Sequence, residues 1–87
     1  MKAIWKYELE VTDLQRVSMP VGAKPICVQV QGDLLCLWAE VNTEPERPRG
    51  GRTFEIIGTG NPIPEAERAY IGTVQMPPFV WHVYERI

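Results

Sequence analysis

The sequence predicts an all-β fold, a small antiparallel sandwich or open barrel of six to seven short strands with at most one short helical turn. Three observations predict it. Apolar and polar residues alternate through successive short runs, Gly, Pro, Asn and Asp interrupt those runs at close spacing, and no stretch carries a helical period of any length. A chain of 87 residues has interior enough for one core between two packed layers, so residues 1–87 are expected to form a single β domain.

From Ala3 to Val11 the apolar residues take the odd positions, with Lys6, Glu8 and Glu10 on the even ones, which is the pattern of a half-buried strand. Thr12 and Asp13 interrupt it, and Gln15 to Met19 alternates again before Pro20, so the first twenty positions read as a hairpin with a tight polar turn. Pro20-Val21-Gly22-Ala23 then carries the chain across the core. Ile26, Val28 and Val30 share one face of the next strand. Gln31-Gly32-Asp33 closes a hairpin, because glycine accepts positive φ and aspartate bonds its own downstream backbone. Leu34 to Val41 is apolar on both faces, as expected of a central strand covered on both sides.

Asn42 to Gly51 holds Pro45, Pro48, two Glu, two Arg and a glycine pair, with no apolar residue, and reads as an exposed loop, the most mobile part of the chain. Phe54 to Ile57 is a strand. Asn61 to Ala69 admits at most one helical turn after Pro62 and Pro64. Tyr70 to Met76 and Phe79 to Arg86 are strands, and Pro77-Pro78 between them marks a corner or an edge because proline cannot donate to a ladder. Exposed sheet edges in so small a β domain favour pairing between copies, so a homo-oligomer is expected, helped by burial of Trp81 or Trp38 at the contact.

Composition narrows the function. The chain is 45% hydrophobic and 23% charged, which is globular, and its formal charge of -2 gives no general attraction to polymeric nucleic acid or an anionic membrane. Any anion must be held locally. No apolar run nears the roughly 20 residues of a membrane span, and Met1 opens directly into alternation rather than a signal peptide, which points to the cytosol. Cys27 and Cys36 flank a turn and are placed to face each other across a hairpin, but two cysteines make no disulfide framework and read as buried thiols. With His82 the sole histidine, neither a zinc site nor another cofactor is expected.

A catalytic set is equally thin. Ser18 is the sole serine, far from His82 in sequence, with no orienting carboxylate at a recognisable spacing. Within VWHVYE, His82 faces away from Trp81 and Val83 and suits a structural hydrogen bond. The Gly-rich segments are the better candidates. Arg49 to Arg52 offers guanidinium forks, and Gly58, Thr59, Gly60 and Asn61 offer backbone amides, the two elements that hold phosphate. GTGNP has neither the lysine nor the following helix of a nucleotide-hydrolysing phosphate loop, and the same glycines equally suit a bulge and a turn. Trp38, Trp81 and Tyr84 are the rings placed to stack on a base, though most aromatics here are needed for the core.

The segments IWKYELEVTDLQRVSMPVGA, LCLWAEV, RTFEIIGTGNPIP, YIGTVQ and VWHVYE together resemble a family of small proteins encoded by tailed bacteriophages and prophages, over nearly the whole chain. In that family the GTG is usually followed by histidine before the Pro-hydrophobic-Pro triplet; Asn61 stands in that place, so no role of that histidine transfers. The resemblance implies a phage origin and action in the host bacterial cytosol, and carries no catalytic residues. Small phage accessory proteins include oligomeric binders that sequester nucleotide-derived second messengers of bacterial immunity. The expectation is therefore a non-enzymatic sponge for such a messenger, inhibiting anti-phage defence, with Arg49 and Arg52 on phosphate, Gly58 to Asn61 lining the pocket, and Trp38, Trp81 or Tyr84 stacking. A protein-binding inhibitor or virion accessory module with no small-molecule ligand is the alternative, and a phosphodiesterase or lyase built on His82 is a third reading.

Overall fold

The computed structural model describes residues 1–87 as seven strands in two antiparallel sheets, with no helix. The strands are β1 (Lys2–Leu9), β2 (Leu14–Pro20), β3 (Lys24–Gln31), β4 (Leu34–Asn42), β5 (Arg49–Gly58), β6 (Arg68–Met76) and β7 (Phe79–Arg86). One sheet has the order β1-β4-β3 and the other β2-β5-β7-β6, an all-β sandwich rather than a closed barrel. No helix is present that could cross a membrane.

The core lies between the two sheets. Leu35, Leu37, Ala39 and Val41 of β4 point inward and are fully buried, and they meet Met19, Phe54, Ile56 and Val83 from the opposing sheet. Gly32 sits at φ 64° in the two-residue turn that joins β3 to β4, where the missing Cβ removes the steric cost. That turn sets the register. It places Cys27 opposite Trp38 and Cys36 opposite Gln29, so the two free thiols do not face each other as the sequence suggested.

Three further expectations are corrected. The first twenty residues are not a hairpin: β1 pairs with β4 and β2 with β5, so residues 10–13 turn a corner between layers. The Gln15 side chain fixes that corner, accepting from Glu10 N at 3.0 Å and donating to Glu10 O at 2.6 Å. Arg49 to Gly51 is strand, not loop, with Gly50 opposite Met19 and Gly51 opposite Ser18. The Arg16 guanidinium lies over Gly51, in the space a Cβ would take. Between 61 and 69, where at most one helical turn was expected, none forms; the segment that holds Pro62 and Pro64 is irregular. Finally, β4 is central, yet its outward face carries no second layer, and Trp38 lies half-buried beside exposed Ile4 and Ile26.

The β6–β7 hairpin closes in two residues, Pro77 and Pro78, between paired Met76 and Phe79. β7 therefore lies between β5 and β6, and residues 59–67 must run back along the sheet before β6 begins. This crossover passes over the outward face of the four-stranded sheet, where Pro62 and Pro64 share a hollow with Leu14 and Glu55. Ile57 and Glu55 are buried beneath it.

The two sheets close along β3 and β6. A Cβ on Gly72 would lie 2.8 Å from Val28 Cγ2, closer than carbon atoms pack. Gly72→Ala should lower stability by about 1–3 kcal/mol through overpacking, and adding Val28→Ala should recover part of that loss. Urea denaturation of both singles and the double measures the coupling; strictly additive effects would show that the strands do not touch there.

Candidate functional site

The outward face of the four-stranded sheet carries the polar chemistry. β5 presents Thr53, Glu55 and Ile57 there, and β7 sets Arg86, Tyr84 and His82 directly opposite them. β6 adds Arg68, Tyr70 and Thr73 opposite Arg86, Tyr84 and His82. Period-two alternation along each strand puts these residues on one face, and antiparallel register aligns them in rows.

Glu55 is the buried charge of the protein, 2% exposed. Arg68 Nε donates to its Oε1 at 2.7 Å, and Arg86 Nη2 to its Oε2 at 2.8 Å. The Arg68 hydrogen bond is the largest influence holding the carboxyl below the usual carboxylate range; burial opposes it, and the Arg86 bond adds to the lowering. Arg68 Nη2 also donates to Pro64 O at 2.6 Å, which ties the crossover to the same carboxylate, and its guanidinium lies 5.8 Å from the Tyr84 ring centroid. Arg86 Nε is buried without a partner.

A second network runs beside it. Thr59 Oγ1 lies 2.8 Å from His82 Nε2, Thr73 Oγ1 lies 3.0 Å from His82 Nδ1, and Tyr70 Oη bonds Thr73 Oγ1. One ring nitrogen of a neutral imidazole donates and the other accepts, and two hydroxyls satisfy both. His82 is thus held structurally, as its place in the alternation suggested. No three His, Cys, Asp or Glu side chains gather at metal-binding spacing.

The Gly58–Asn61 turn stands at the end of these rows. Asn61 N donates to Gly58 O at 3.0 Å and Gly60 has φ 89°, a type II turn that requires glycine at its third position. Thr59 N donates to Val80 O at 3.3 Å, and the Gly60 amide has no partner within the chain. Gly58 is held small by its neighbours: a Cβ would stand 2.9 Å from Asn61 Nδ2 and 3.0 Å from Trp81 Cζ3. Hollows lie around the turn. One of about 270 Å³ is lined by Ile57, Thr59, Gly60, Asn61, Ile63, His82 and Tyr84. It adjoins another of about 370 Å³, where Asp13 and Glu55 stand against Arg86. A third, about 520 Å³, lies on the other side between Asn61, Phe79 and Trp81.

Six of the residues expected at a ligand site therefore gather around the turn: Gly58, Thr59, Gly60 and Asn61 form it, with Tyr84 on one side and Trp81 on the other. Arg49, Arg52 and Trp38 do not. At about 3.4 Å per strand residue, Arg52 lies roughly 20 Å and Arg49 roughly 30 Å along β5 from Gly58. Both arginines are also engaged. Arg52 holds Glu85 through Nε and Nη2, the latter at 3.0 Å from Oε1, and donates to Ala23 O at 2.8 Å. Arg49 donates to Ser18 Oγ at 3.1 Å and Ser18 O at 2.9 Å. Trp38 sits on the other sheet. The cradle of two arginines and Gly-rich amides is not assembled within one chain, because β5 separates its halves.

The aromatic candidates have neighbours of their own. Trp81 stacks on Phe79 with centroids 5.1 Å apart, leaving Phe79, 55% exposed, as the outer ring. Tyr84 meets Tyr70 edge to face at 5.4 Å. Sequence reasoning passed over Phe79, Thr73, Tyr70 and Arg86. Alternation along 80–86 does place His82, Tyr84 and Arg86 on one face, but only the path of the crossover shows which face is roofed.

A family model described as a domain of unknown function (DUF7352) matches residues 1–87. The chain belongs to that family. No curated protein and no solved structure matches it.

Glu55→Gln should cost about 1–3 kcal/mol at neutral pH, since it leaves two partly buried guanidinium groups short of an acceptor. Because the native carboxyl is held low, its contribution is present above the unfolded pKa of about 4.3 and fades as pH falls through the native value. The stability gap between wild type and Glu55→Gln, followed by urea denaturation, should close below that pH. A gap independent of pH would mean that the carboxylate charge is not what holds the arginines.

Proposed function

We propose that this chain is a phage-encoded, non-enzymatic binding protein that captures a nucleotide-derived signal of the host at the Gly58–Asn61 turn. The observation that carries this reading is the gathering of the turn, Tyr84 and Trp81 at one end of β5 and β7, with hollows on both sides. The hollow beside Tyr84 has apolar walls in Ile57 and Ile63, and the side chains of Asn61 and Thr59 both donate and accept, the hydrogen-bonding set that a base edge requires. Phe79 offers an open ring on the far side. The engaged arginines shift the emphasis: recognition rests on the ring system of the ligand, with the free Gly60 amide as the anion contact at the turn. The resemblance to phage proteins supports the origin and the host cytosol as the place of action.

A second reading, a protein-binding module, is favoured by the shallow apolar hollow of about 320 Å³ that Ile4, Ile26 and Trp38 line on the opposite sheet. Titration calorimetry with cyclic dinucleotides and cyclic ADP-ribose isomers separates the two. The binder should saturate, return the ligand chemically unchanged, lose affinity in Asn61→Ala and keep it in Arg49→Ala. Binding no tighter than millimolar, or a chemically altered ligand, would overturn the assignment.

A further inference from the structure

The four sheet edges of this molecule are not alike. β3 contains Pro25 and a bulge between Pro25 and Cys27, and it packs against β6 across the sandwich. β6 carries a bulge between Tyr70 and Gly72. β2 is the shortest strand and ends in Pro20. These are the devices by which an edge is made a poor template for another strand. β1 has none of them. It pairs with β4 residue for residue from Lys2 to Leu9, contains no proline or glycine, and has no neighbour on its other side. Its exposed residues include Ile4 at 60% and Trp5 at 37%.

We infer that β1 is the docking edge for a second copy of this chain, the two β1 strands pairing antiparallel about a two-fold axis at Trp5. The charges on the strand choose that register. In an antiparallel self-pairing, residues equidistant from the axis face each other on the same side of the sheet. An axis at Ile4 sets Lys2 against the partner's Lys6, and an axis at Lys6 sets that lysine against itself, both repulsive. With the axis at Trp5, Lys2 meets the partner's Glu8 twice, and Ile4 lies along the aliphatic stem of the partner's Lys6. On the inward side Ala3 meets the partner's Tyr7, and the two Trp5 rings adjoin. Moving the axis to Tyr7 pairs Lys6 with Glu8, but it sets the apolar Ile4 against Glu10, beyond the end of the strand, and asks Lys6 to serve Glu8 as well as Gln31, its acceptor at 2.7 Å.

The Trp5 register leaves that bond intact. Lys2, whose side chain is 73% exposed in its 3.2 Å contact with Glu40, remains free to turn toward the partner. The result is one continuous six-stranded sheet, with the Gly58–Asn61 turns of both copies on the opposing layers and open. The interface is independent of which ligand those turns accept.

Sedimentation equilibrium of the full chain tests it. Wild type should reach the mass of two chains, and Glu8→Lys or Lys2→Glu alone should weaken the dimer about tenfold, since each converts two opposite-charge pairs into two like-charge pairs. The double variant Lys2→Glu/Glu8→Lys restores both pairs and should recover the wild-type affinity. Tryptophan emission should shift to the blue with rising concentration in wild type and less so in Trp5→Phe. A single-chain mass up to millimolar concentration, a dimer indifferent to either reversal, or a double variant weaker than both singles would each overturn the β1 interface.

Discussion

The buried carboxylate of Glu55 is the constraint around which the functional half of this molecule is arranged. It sits on the central part of β5 with two guanidinium groups, one from each of the strands that follow, so three strands of one sheet are fixed to a single charge. A buried carboxylate without partners would be expelled toward water or protonated; with two it remains charged and orders what surrounds it. Arg68 extends the arrangement by holding the Pro64 carbonyl, and that bond lays the crossover against the sheet. The roof over the outward face, the burial of Ile57 and the position of the Gly58–Asn61 turn all follow from where that crossover is anchored.

The same pairing of charge explains why the turn has so little free positive charge beside it. Arg52 is matched by Glu85, Arg68 and Arg86 share Glu55, and Arg49 is bound to Ser18. A ligand approaching the turn meets hydroxyls, an amide side chain and rings before it meets a cation. Recognition by shape and by neutral hydrogen bonds suits a base more than a phosphate, and this distinguishes the site from the arginine-lined cradle that the sequence alone suggested. The His82 network fits the same picture, because both ring nitrogens are engaged by hydroxyls on neighbouring segments, joining the turn to β6 and β7.

The two faces of the molecule differ in character. The four-stranded sheet is roofed and polar on its outward side, while the three-stranded sheet leaves Trp38, Ile4 and Ile26 toward solvent and ends in an unblunted strand. The proposed ligand site and the proposed pairing edge lie on different layers and do not compete for surface.

Alternation along the chain was enough to locate seven strands, all but the start of β5, together with the outward direction of His82 and the Gly32 turn, because period-two burial and two-residue turn chemistry are local properties; β4, apolar on both faces, did not reveal which of them points inward. Which strands pair is not local. Residues 10–13 serve a hairpin or a corner equally well, and only the competition of β4 for β1 and β5 for β2 decided between them. The freedom of a charge is likewise tertiary: Arg52 reads as a phosphate ligand until β7 brings Glu85 beside it, and Gly50 and Gly51 read as a loop until β2 pairs with them. Sequence named the residues of the turn, Trp81 and Tyr84; the fold decided that they, and not the arginines, stand together, because β5 is a straight strand and holds its two ends apart.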